Sequence, residues 1–317
     1  MEFLKANFSK EDILKILELF PLKLEAPSIT NLTGIANTNY RITDNSFDIA
    51  LKVYSHGQSN KNKIEKELEI IKLFSQKGIK VPDLVSGSDK QVLQSYKGFN
   101  VVATKFIEGQ VFDSVEFTQE RMFLVGKLVA NVEEVAKQIN VSNFTCMNFK
   151  EEFNYVSKNL EKEIANKGYD FDLKEYKNNL ELVNQIISKL DSSQDKYFLH
   201  KDIWPWNLIG NKDGIYLLDF NDWAIGDQIT ELSVPLLEFS MFKSDKFNFK
   251  IAKNILDGYK SVKPLTYSAT DLWETMLFIC YLYFAYNVIQ ANAKFESEIY
   301  LKRISTLLNN RNSLRLA

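Results

Sequence analysis

The chain has 317 residues, with 39 Lys and Arg against 41 Asp and Glu, and a formal net charge of −2 at pH 7. Without a basic excess, nucleic acid is not expected as a partner. With 45% hydrophobic residues the chain can bury a sizeable core, and its length favours two domains over one. Cys146 and Cys280 lie far apart without CxxC spacing, which excludes a disulfide scaffold and a structural zinc site.

No membrane association is expected either. The N-terminal residues MEFLKANFSKED lack the basic and then apolar segments of a signal peptide. The most apolar stretch, ETMLFICYLYFAY at residues 274–286, is shorter than the roughly 20 residues that a membrane-spanning helix needs. It is typical of a helix buried in a large helical domain. We therefore expect a cytoplasmic protein.

The first third of the chain is predicted to be rich in strands. Ser9, followed three residues later by Asp12, has the spacing of a helix N-cap, and apolar residues then recur at helical spacing. Residues 28–54 alternate between apolar and polar side chains, which predicts strands. The further elements predicted here are a helix over 62–77 and a hairpin over 91–106 that turns at Lys97-Gly98.

The rest of the chain is predicted to be mainly helical. Glu108-Gly109 breaks the last strand, so we expect one domain over residues 1–107 and a second over 108–317. A loop-and-strand segment at 197–222 interrupts the helices. Helical periodicity predicts helices over 118–138, 150–166, 173–190, 228–241, 246–261, 269–292 and 297–309. This order predicts an α+β fold with a small β-rich lobe, a large helical lobe and a ligand cleft between them.

A lysine in the strand at 47–54 is the first candidate for chemistry. Ala50 and Lys52 are two residues apart, so both point away from the apolar face of that strand. Such a lysine can simply extend to solvent at a sheet edge, or its ammonium can bind nucleotide phosphates while the small Ala50 leaves room for adenine. In helix 62–77, Glu67 lies within the apolar stripe and requires a charged partner, for which Lys52 is the candidate.

The stretch TGIANTNYRI precedes this strand and supplies one glycine, Gly34, together with Asn37 and Asn39. It is not a G-x-G-x-x-G sequence, and no P-loop sequence occurs in the chain. It is either an ordinary turn or a loop whose backbone N–H groups bind phosphates. We predict that Gly34, Asn37 and Asn39 contribute to nucleotide binding.

Three polar residues lie in the stretches YFLHKDIWPWNLIG and IYLLDFND. Asp202 and Asn207 share one loop, and Asp219 ends the strand that returns beside it. Asn207 and Asp219 offer oxygen ligands that suit Mg²⁺, which also takes phosphates and water. Asp202 would then lie near the acceptor and take the proton of its hydroxyl group. We interpret His200 as a support of the loop, since the sequence offers no His or Cys partner for a metal or nucleophilic site.

These segments resemble the aminoglycoside phosphotransferase/choline kinase family. HKDIWPWN matches its H-x-D-x-x-x-x-N loop, DFND its D-F-x motif and IALK the V-A-I-K lysine strand. The resemblance implies a bilobal protein-kinase-like fold and the use of ATP and Mg²⁺. By that resemblance Asp202 is the base, Asn207 and Asp219 hold Mg²⁺, and Lys52 with Glu67 anchors the ATP phosphates.

The sequence departs from the family pattern at three positions. Lys201 replaces a small residue between the His and the Asp, Asn221 stands where D-F-G has glycine, and Glu231 is a substitute acid in ITELS. None of these changes removes a reacting group, so we expect an active kinase. The alternative is a catalytically silent pseudokinase module that binds a nucleotide or another ligand.

The acceptor is expected to be a small molecule, because no A-P-E segment follows DFND to leave room for an activation loop. TGIANTNYRI also resembles the loop of the homoserine kinases in this family. Amino alcohols, aminoglycosides, homoserine and sugars therefore all remain possible acceptors. The residues predicted to line the acceptor pocket are Trp204, Trp206, Asp222, Trp223 and Glu231.

Overall fold

The structure is a computed structural model. It describes residues 6–32, 37–55, 60–291 and 293–310, except for the side chains of residues 290 and 291. The chain divides into two compact units. The first comprises the residues up to Gly109 together with Tyr216–Asn221, and the second comprises Gln110–Ile215 and the residues from Asp222 onwards. The predicted boundary at 107/108 thus differs by two residues, and Tyr216–Asn221 was predicted in the other domain.

The first unit is built on an antiparallel sheet. In its described part the strand order is β1-β2-β3-β6-β4, with β5 also paired to β6. The strands are β1 (Ser28–Leu32), β2 (Thr38–Asp44), β3 (Phe47–Val53), β4 (Leu84–Val85), β5 (Gln94–Tyr96) and β6 (Phe99–Lys105). The hairpin predicted at Lys97-Gly98 is confirmed, and both turn residues have positive φ, as a tight hairpin turn requires.

Two helices complete this unit, α1 (Lys10–Leu17) and α2 (Lys61–Gln76). The predicted capping box of α1 is present, with the Ser9 hydroxyl accepting from the Asp12 N–H at 3.2 Å. Apolar residues of α1 such as Ile16 pack against the buried face of the sheet, where Leu51 is fully buried. In β3 the apolar side chains are buried and the alternate ones are not, as the sequence pattern predicts.

The segment Tyr216–Asn221 packs in the first unit although it is remote in sequence. Its backbone joins the unit where the Leu217 N–H donates to the Lys80 carbonyl at 2.9 Å. Its Phe220 ring packs edge-on against Phe74 of α2, with ring centroids 5.5 Å apart. These contacts bring Asp219 into the same unit as Lys52 and Glu67.

The second unit is mainly helical. Its helices are α3 (Gln119–Ala136), α4 (Phe149–Ser157), α5 (Leu160–Asn166), α6 (Lys174–Asn178), α7 (Leu180–Ser192), α8 (Ile229–Ser240), α9 (Phe249–Lys260), α10 (Ala269–Tyr286) and α11 (Lys294–Asn310). Its short strands are β7 (Gln110–Val111), β8 (Tyr197–Leu199), β9 (Leu208–Asn211) and β11 (Ala224–Gly226), and β10 (Gly214–Leu217) begins in this unit and ends in the first. The predicted α+β class is therefore confirmed, with an N-terminal antiparallel sheet and a helical C-terminal part.

Two helices predicted as continuous are each broken into two. The prediction over 150–166 corresponds to α4 and α5, and that over 173–190 to α6 and α7. Asn159 and Asn179 stand at the breaks, with ψ near 10° instead of the helical value. Asparagine competes with the helix backbone for hydrogen bonds, and the Asn179 amide donates to the Glu175 carbonyl at 2.9 Å. Apolar periodicity does not register such local breaks.

Helix α10 forms the centre of the second unit. The segment Ala269–Ile289 is long and apolar enough to cross a membrane by length and composition, but 72% of its apolar window is buried inside the protein. The prediction of a buried helix is therefore confirmed. Side chains that reach from it to neighbouring elements include Trp273, whose indole N–H donates to the Leu307 carbonyl at 2.7 Å.

Candidate active site

Lys52 forms the ion pair that the sequence predicts. Its Nζ lies 3.3 Å from Oε1 of Glu67, whose side chain is only 5% exposed. The Tyr54 hydroxyl also donates to Glu67, and Lys52 Nζ lies 4.8 Å from the centre of the Tyr54 ring. Burial raises the pKa of Glu67 although the charge of Lys52 opposes this. Burial disfavours the charge on Lys52, but Asp219 and Glu67 outweigh it and hold the pKa of the lysine well above its usual range.

Two residues of the DFND segment also contact this lysine. Lys52 Nζ donates to Oδ1 of Asp219 at 3.1 Å and to Oδ1 of Asn221 at 2.9 Å. Asp219 has φ of +56°, a conformation that Asp adopts more readily than most residues. Asn221, noted in the sequence only as a departure from glycine, is therefore part of the lysine site. Its amide oxygen adds an uncharged acceptor to the two carboxylates.

The TGIANTNYRI stretch contains three residues predicted to contribute to nucleotide binding, and the outcome differs for each. Gly34 lies outside the described residues. Asn37 is buried, and its Oδ1 accepts from the Ser55 N–H at 3.1 Å, so this side chain anchors the backbone of its own unit instead of facing a nucleotide. Asn39 is the cross-strand partner of Lys52 and lies on the same face of the sheet. Of the two described residues, Asn39 keeps a position that suits the predicted role and Asn37 does not.

In the second unit, Asp202 and Asn207 contact each other directly. The Asn207 amide donates to Oδ2 of Asp202 at 2.5 Å and to its carbonyl oxygen at 3.1 Å. A short 3₁₀ turn over Pro205–Asn207 brings the two together, with Pro205 at its first position. His200 is fully buried, and its Nδ1 accepts from the Asp202 N–H at 3.2 Å. This contact agrees with the interpretation of His200 as a support of the loop.

Lys201, between His200 and Asp202, is buried and has φ of +65°. Its Nζ lies 2.6 Å from Oε1 of Glu152, which also accepts from the Tyr286 hydroxyl at 2.7 Å. Burial disfavours the lysine charge, but Glu152 and Asp222 outweigh it and raise the pKa of Lys201. Neither Glu152 nor Tyr286 was identified from the sequence. An acid and a tyrosine inside otherwise apolar helix faces are the signal that points to them.

Glu231 was predicted to bind the acceptor, but it is only 1% exposed. Its Oε2 accepts from the Lys201 N–H at 3.2 Å, and the His200 backbone N–H also donates to this carboxyl group. Burial raises its pKa to about 8. The physical reason for the different role is position: the first turn of α8 faces the loop backbone, so Glu231 supports the loop from inside.

The other predicted acceptor residues differ in exposure. Trp223 is buried and packs against Phe144 and Phe198, which makes it a core residue. Trp206 is 44% exposed and its indole N–H donates to Asp113 at 2.9 Å. Trp204 is half-buried and packs edge-on against Trp206, and Asp222 is exposed. Trp204, Trp206 and Asp222 therefore remain candidates, whereas Trp223 and Glu231 do not reach the surface.

Within the described residues, no group of three or more His, Cys, Asp or Glu side chains forms a ready cation site. The donor set predicted for Mg²⁺ is smaller, one amide oxygen from Asn207 and a carboxylate from Asp219. The two residues belong to different units, so this magnesium site stays a prediction; Mg²⁺ would keep water and take phosphate oxygens as its other ligands. Because the Asn207 amide nitrogen donates to Asp202, its oxygen is the atom left for this use.

Comparison with known proteins agrees with these motifs. The protein LicA homolog of Mycoplasma capricolum is 24% identical over 273 residues, which cover 86% of this chain and 93% of that relative. Among solved structures, amicoumacin kinase hAmiN, in complex with AMP-PNP, Ca²⁺ and Ami, has a TM-score of 0.75 and 17% identity, with 98% of this chain and 95% of that one covered. Choline kinase LicA from Streptococcus pneumoniae has a TM-score of 0.62 and 18% identity, with coverage of 96% and 98%.

At these identities the solved structures establish a shared fold. The family is established by a different match, since the model of the phosphotransferase enzyme family, APH, matches residues 29–265. That range contains the lysine strand, the HKDIWPWN loop and the DFND segment. The resemblance predicted from these motifs is thereby confirmed, and the chain belongs to the phosphotransferase enzyme family.

Proposed function

We propose that this protein transfers the γ-phosphoryl group of ATP to the hydroxyl group of a small amino alcohol of the choline type. The observation that carries the proposal is the environment of Lys52, a partly buried ammonium held by Glu67, Asp219 and Asn221 within hydrogen-bonding distance. A fixed positive charge of this kind suits the phosphates of a nucleotide. A lysine that merely extended to solvent would not be surrounded by acceptors from two remote segments.

The proposed reaction assigns one role to Asp202. Its carboxylate takes the proton of the acceptor hydroxyl while the acceptor oxygen bonds to the γ-phosphorus. The bond from that phosphorus to the β–γ bridging oxygen breaks, and ADP leaves. Magnesium, when bound, neutralises charge on the phosphates, and Asn207 and Asp219 are its proposed ligands. The hydrogen bond from Asn207 and the support from His200 fix the orientation of Asp202.

The chemistry around Asp202 supports a cationic acceptor. The Tyr286 hydroxyl donates to Glu152 at 2.7 Å, and the Tyr283 hydroxyl donates at 3.0 Å to the carbonyl of Lys201, which directly precedes Asp202. Acids and tyrosine rings are thus neighbours in this part of the second unit. An ammonium or quaternary ammonium group is attracted by carboxylates and by the faces of aromatic rings, each ring contributing roughly 0.5–2 kcal/mol.

The relatives support the same acceptor class. The chain resembles a LicA homolog along most of its length, and one protein with its fold is a choline kinase of that name. The amicoumacin kinase shares the fold as well, so antibiotics with amino groups belong in the test. The cytoplasmic location predicted from the sequence is part of this proposal, since ATP is supplied there.

The test is acceptor-dependent ADP release with MgATP over a panel of choline, ethanolamine, aminopropanol, homoserine, aminoglycosides and sugars. We expect release with choline or a related amino alcohol, and a phosphorylated acceptor detected by mass spectrometry. Release with sugars only would refute the amino-alcohol assignment. Binding of MgATP without turnover across the panel would favour the catalytically silent module. The departures from the family pattern that suggest such a module include Lys201 and Asn221, and both side chains form hydrogen bonds.

Asp202→Asn tests the role of the base. We expect turnover to fall by about 10²- to 10⁴-fold, because the amide cannot accept the proton. Affinity for MgATP, measured by calorimetry, should stay within about twofold, since Asp202 is not a proposed nucleotide contact. Equal turnover in the wild type and the variant would contradict the assignment.

A further inference from the structure

Lys201 has a backbone conformation that is unusual for its residue type. Its φ of +65° lies in the left-handed region, which is unfavourable for a residue with a Cβ. The position directly precedes Asp202, and its side chain is 11% exposed. Such conformations persist where the surroundings hold them in place. The surroundings of Lys201 are therefore informative about its role.

Every polar group of Lys201 has a partner in a different element. Its N–H donates to Glu231 of α8 at 3.2 Å, and its carbonyl accepts from the Tyr283 hydroxyl of α10 at 3.0 Å. Its Nζ donates to Glu152 of α4 at 2.6 Å. Tyr286, one helical turn after Tyr283, donates to the same Glu152 oxygen at 2.7 Å. Helices α4, α8 and α10 thus hold one residue at its amide, its carbonyl and its ammonium.

We propose that Lys201 is a positioning residue for Asp202, and that Glu152 and Tyr286 serve the reaction by fixing the ammonium of Lys201. The inference rests on the proposed function. A rotation about the backbone of Lys201 displaces the next residue directly, and a displacement of about 1 Å at a reacting group can lower a rate about 100-fold. A small residue at this position would leave the backbone free to rotate, whereas the ion pair of Lys201 with Glu152 restricts that rotation. Lys201 then fixes the backbone of the loop directly before Asp202.

A buried ion pair elsewhere in the same unit provides a matched control. Lys263 Nζ lies 2.8 Å from Oε2 of Glu133, and the Tyr259 hydroxyl donates to the same oxygen at 2.6 Å. Glu133 is fully buried. The chemistry resembles that of the Lys201–Glu152–Tyr286 group, although Lys263 also pairs with Glu134 at 3.0 Å. These residues lie on α3, at the end of α9 and just beyond it, outside the HKDIWPWN loop. Equivalent substitutions in the two groups therefore separate lost stability from lost positioning.

The experiment compares Glu152→Gln and Tyr286→Phe with Glu133→Gln and Tyr259→Phe. We expect the first two to lower kcat at least tenfold while the KM for ATP stays within twofold. The control pair should lower Tm by a similar amount with kcat within twofold of the wild type. Tyr286→Phe removes only one hydroxyl group. Its kcat therefore tests the proposal even where the Glu152→Gln variant fails to fold. Wild-type kcat in a folded Tyr286→Phe variant, or equal losses of kcat in both groups, would overturn the proposal.

Amide hydrogen exchange provides a readout that does not depend on activity. The Lys201 N–H is bonded to Glu231 and the Asp202 N–H to His200, so both are protected while the loop is held. We expect Tyr286→Phe to speed exchange in a peptide covering residues 199–203 at least fivefold, and Tyr259→Phe to leave it unchanged. Unchanged exchange in Tyr286→Phe would overturn positioning by Lys201 even if no acceptor were found. Faster exchange in an enzyme without turnover would refute the proposed function alone.

Discussion

Glu231 is buried beneath the HKDIWPWN loop, and its ionisation is expected to dominate one part of the stability profile. Its side chain is 1% exposed, and Oε2 accepts a hydrogen bond from the Lys201 N–H at 3.2 Å. No hydrogen bond of Oε1 is seen among the described residues, so the acidic proton can reside there. Burial raises the pKa of the group from 4.5 to about 8. The substitution Glu231→Gln keeps an acceptor for the loop and removes the titration.

The sign of the effect follows from which state binds the proton. Between pH 4.5 and pH 8 the carboxyl group is neutral in the folded protein and ionised in the unfolded chain. Its contribution to stability is therefore fully present below pH 4.5 and is lost as the pH rises to about 8. Each pH unit in that interval lowers the free energy of unfolding by about 1.4 kcal/mol, which amounts to roughly 5 kcal/mol over the whole interval.

Urea denaturation between pH 5 and pH 8.5 measures this difference. All four tryptophans lie in the second unit, so their fluorescence reports on the unit that contains Glu231. We expect the stability of Glu231→Gln relative to the wild type to rise by roughly 4 kcal/mol between pH 5 and pH 8. Glu65→Gln, a change at an exposed acid of α2, serves as the control and should leave the profile unchanged. Parallel profiles for the wild type and Glu231→Gln would refute the reasoning.

Two further predictions concern a helix contact and the candidate metal ligand. Gly126→Ala should destabilise the protein by at least about 2 kcal/mol in the same assay, although Ala is the better helix former, because a Cβ there would lie 1.9 Å from the Ile255 carbonyl oxygen; a stabilised variant would show that α3 and α9 can separate. Asp219→Ala should abolish the Mg²⁺-dependent part of ATP binding, and unchanged thermal stabilisation by MgATP would contradict its role as a ligand.

The lysine site shows how far periodicity alone reaches. The two-residue period of β3 places Lys52 opposite the apolar face, and the helical period of α2 places Glu67 within the apolar stripe. Both inferences need only local geometry. A buried carboxylate is unfavourable without a positively charged partner, so Glu67 is expected to pair with a cation. The ion pair between them is present at 3.3 Å. What the periodicity does not contain is the packing of Phe220 against Phe74, which brings Asp219 and Asn221 to the same lysine.

The acceptor residues show where residue type misleads. Residue type predicts Trp223 and Glu231 as acceptor residues, because tryptophans and acids suit cationic ligands, but both side chains are buried. The residues that hold the loop, Glu152 and Tyr286, lie 49 and 85 positions from Lys201 and carry no motif. Their partnership depends on the packing of α4 and α10, which sequence patterns do not encode pair by pair. Asn37 is a similar case, since its hydrogen bond to Ser55 depends on the path of the backbone.

The sequence by itself predicted the class of fold and the family correctly, and it supplied the candidates for the reacting groups. These predictions follow from the spacing of apolar residues and from motifs within one loop or strand. Both kinds of pattern involve only residues that are close in sequence. Apart from the predicted pair of Lys52 and Glu67, the tertiary structure alone decided which polar side chains are buried and which of them pair. Burial and pairing depend on elements that can lie far apart in the chain, as the contact of Lys52 with Asp219 shows. Lys201 illustrates the difference: in the sequence it is a departure from a motif, and in the fold it is the residue that three helices hold in place.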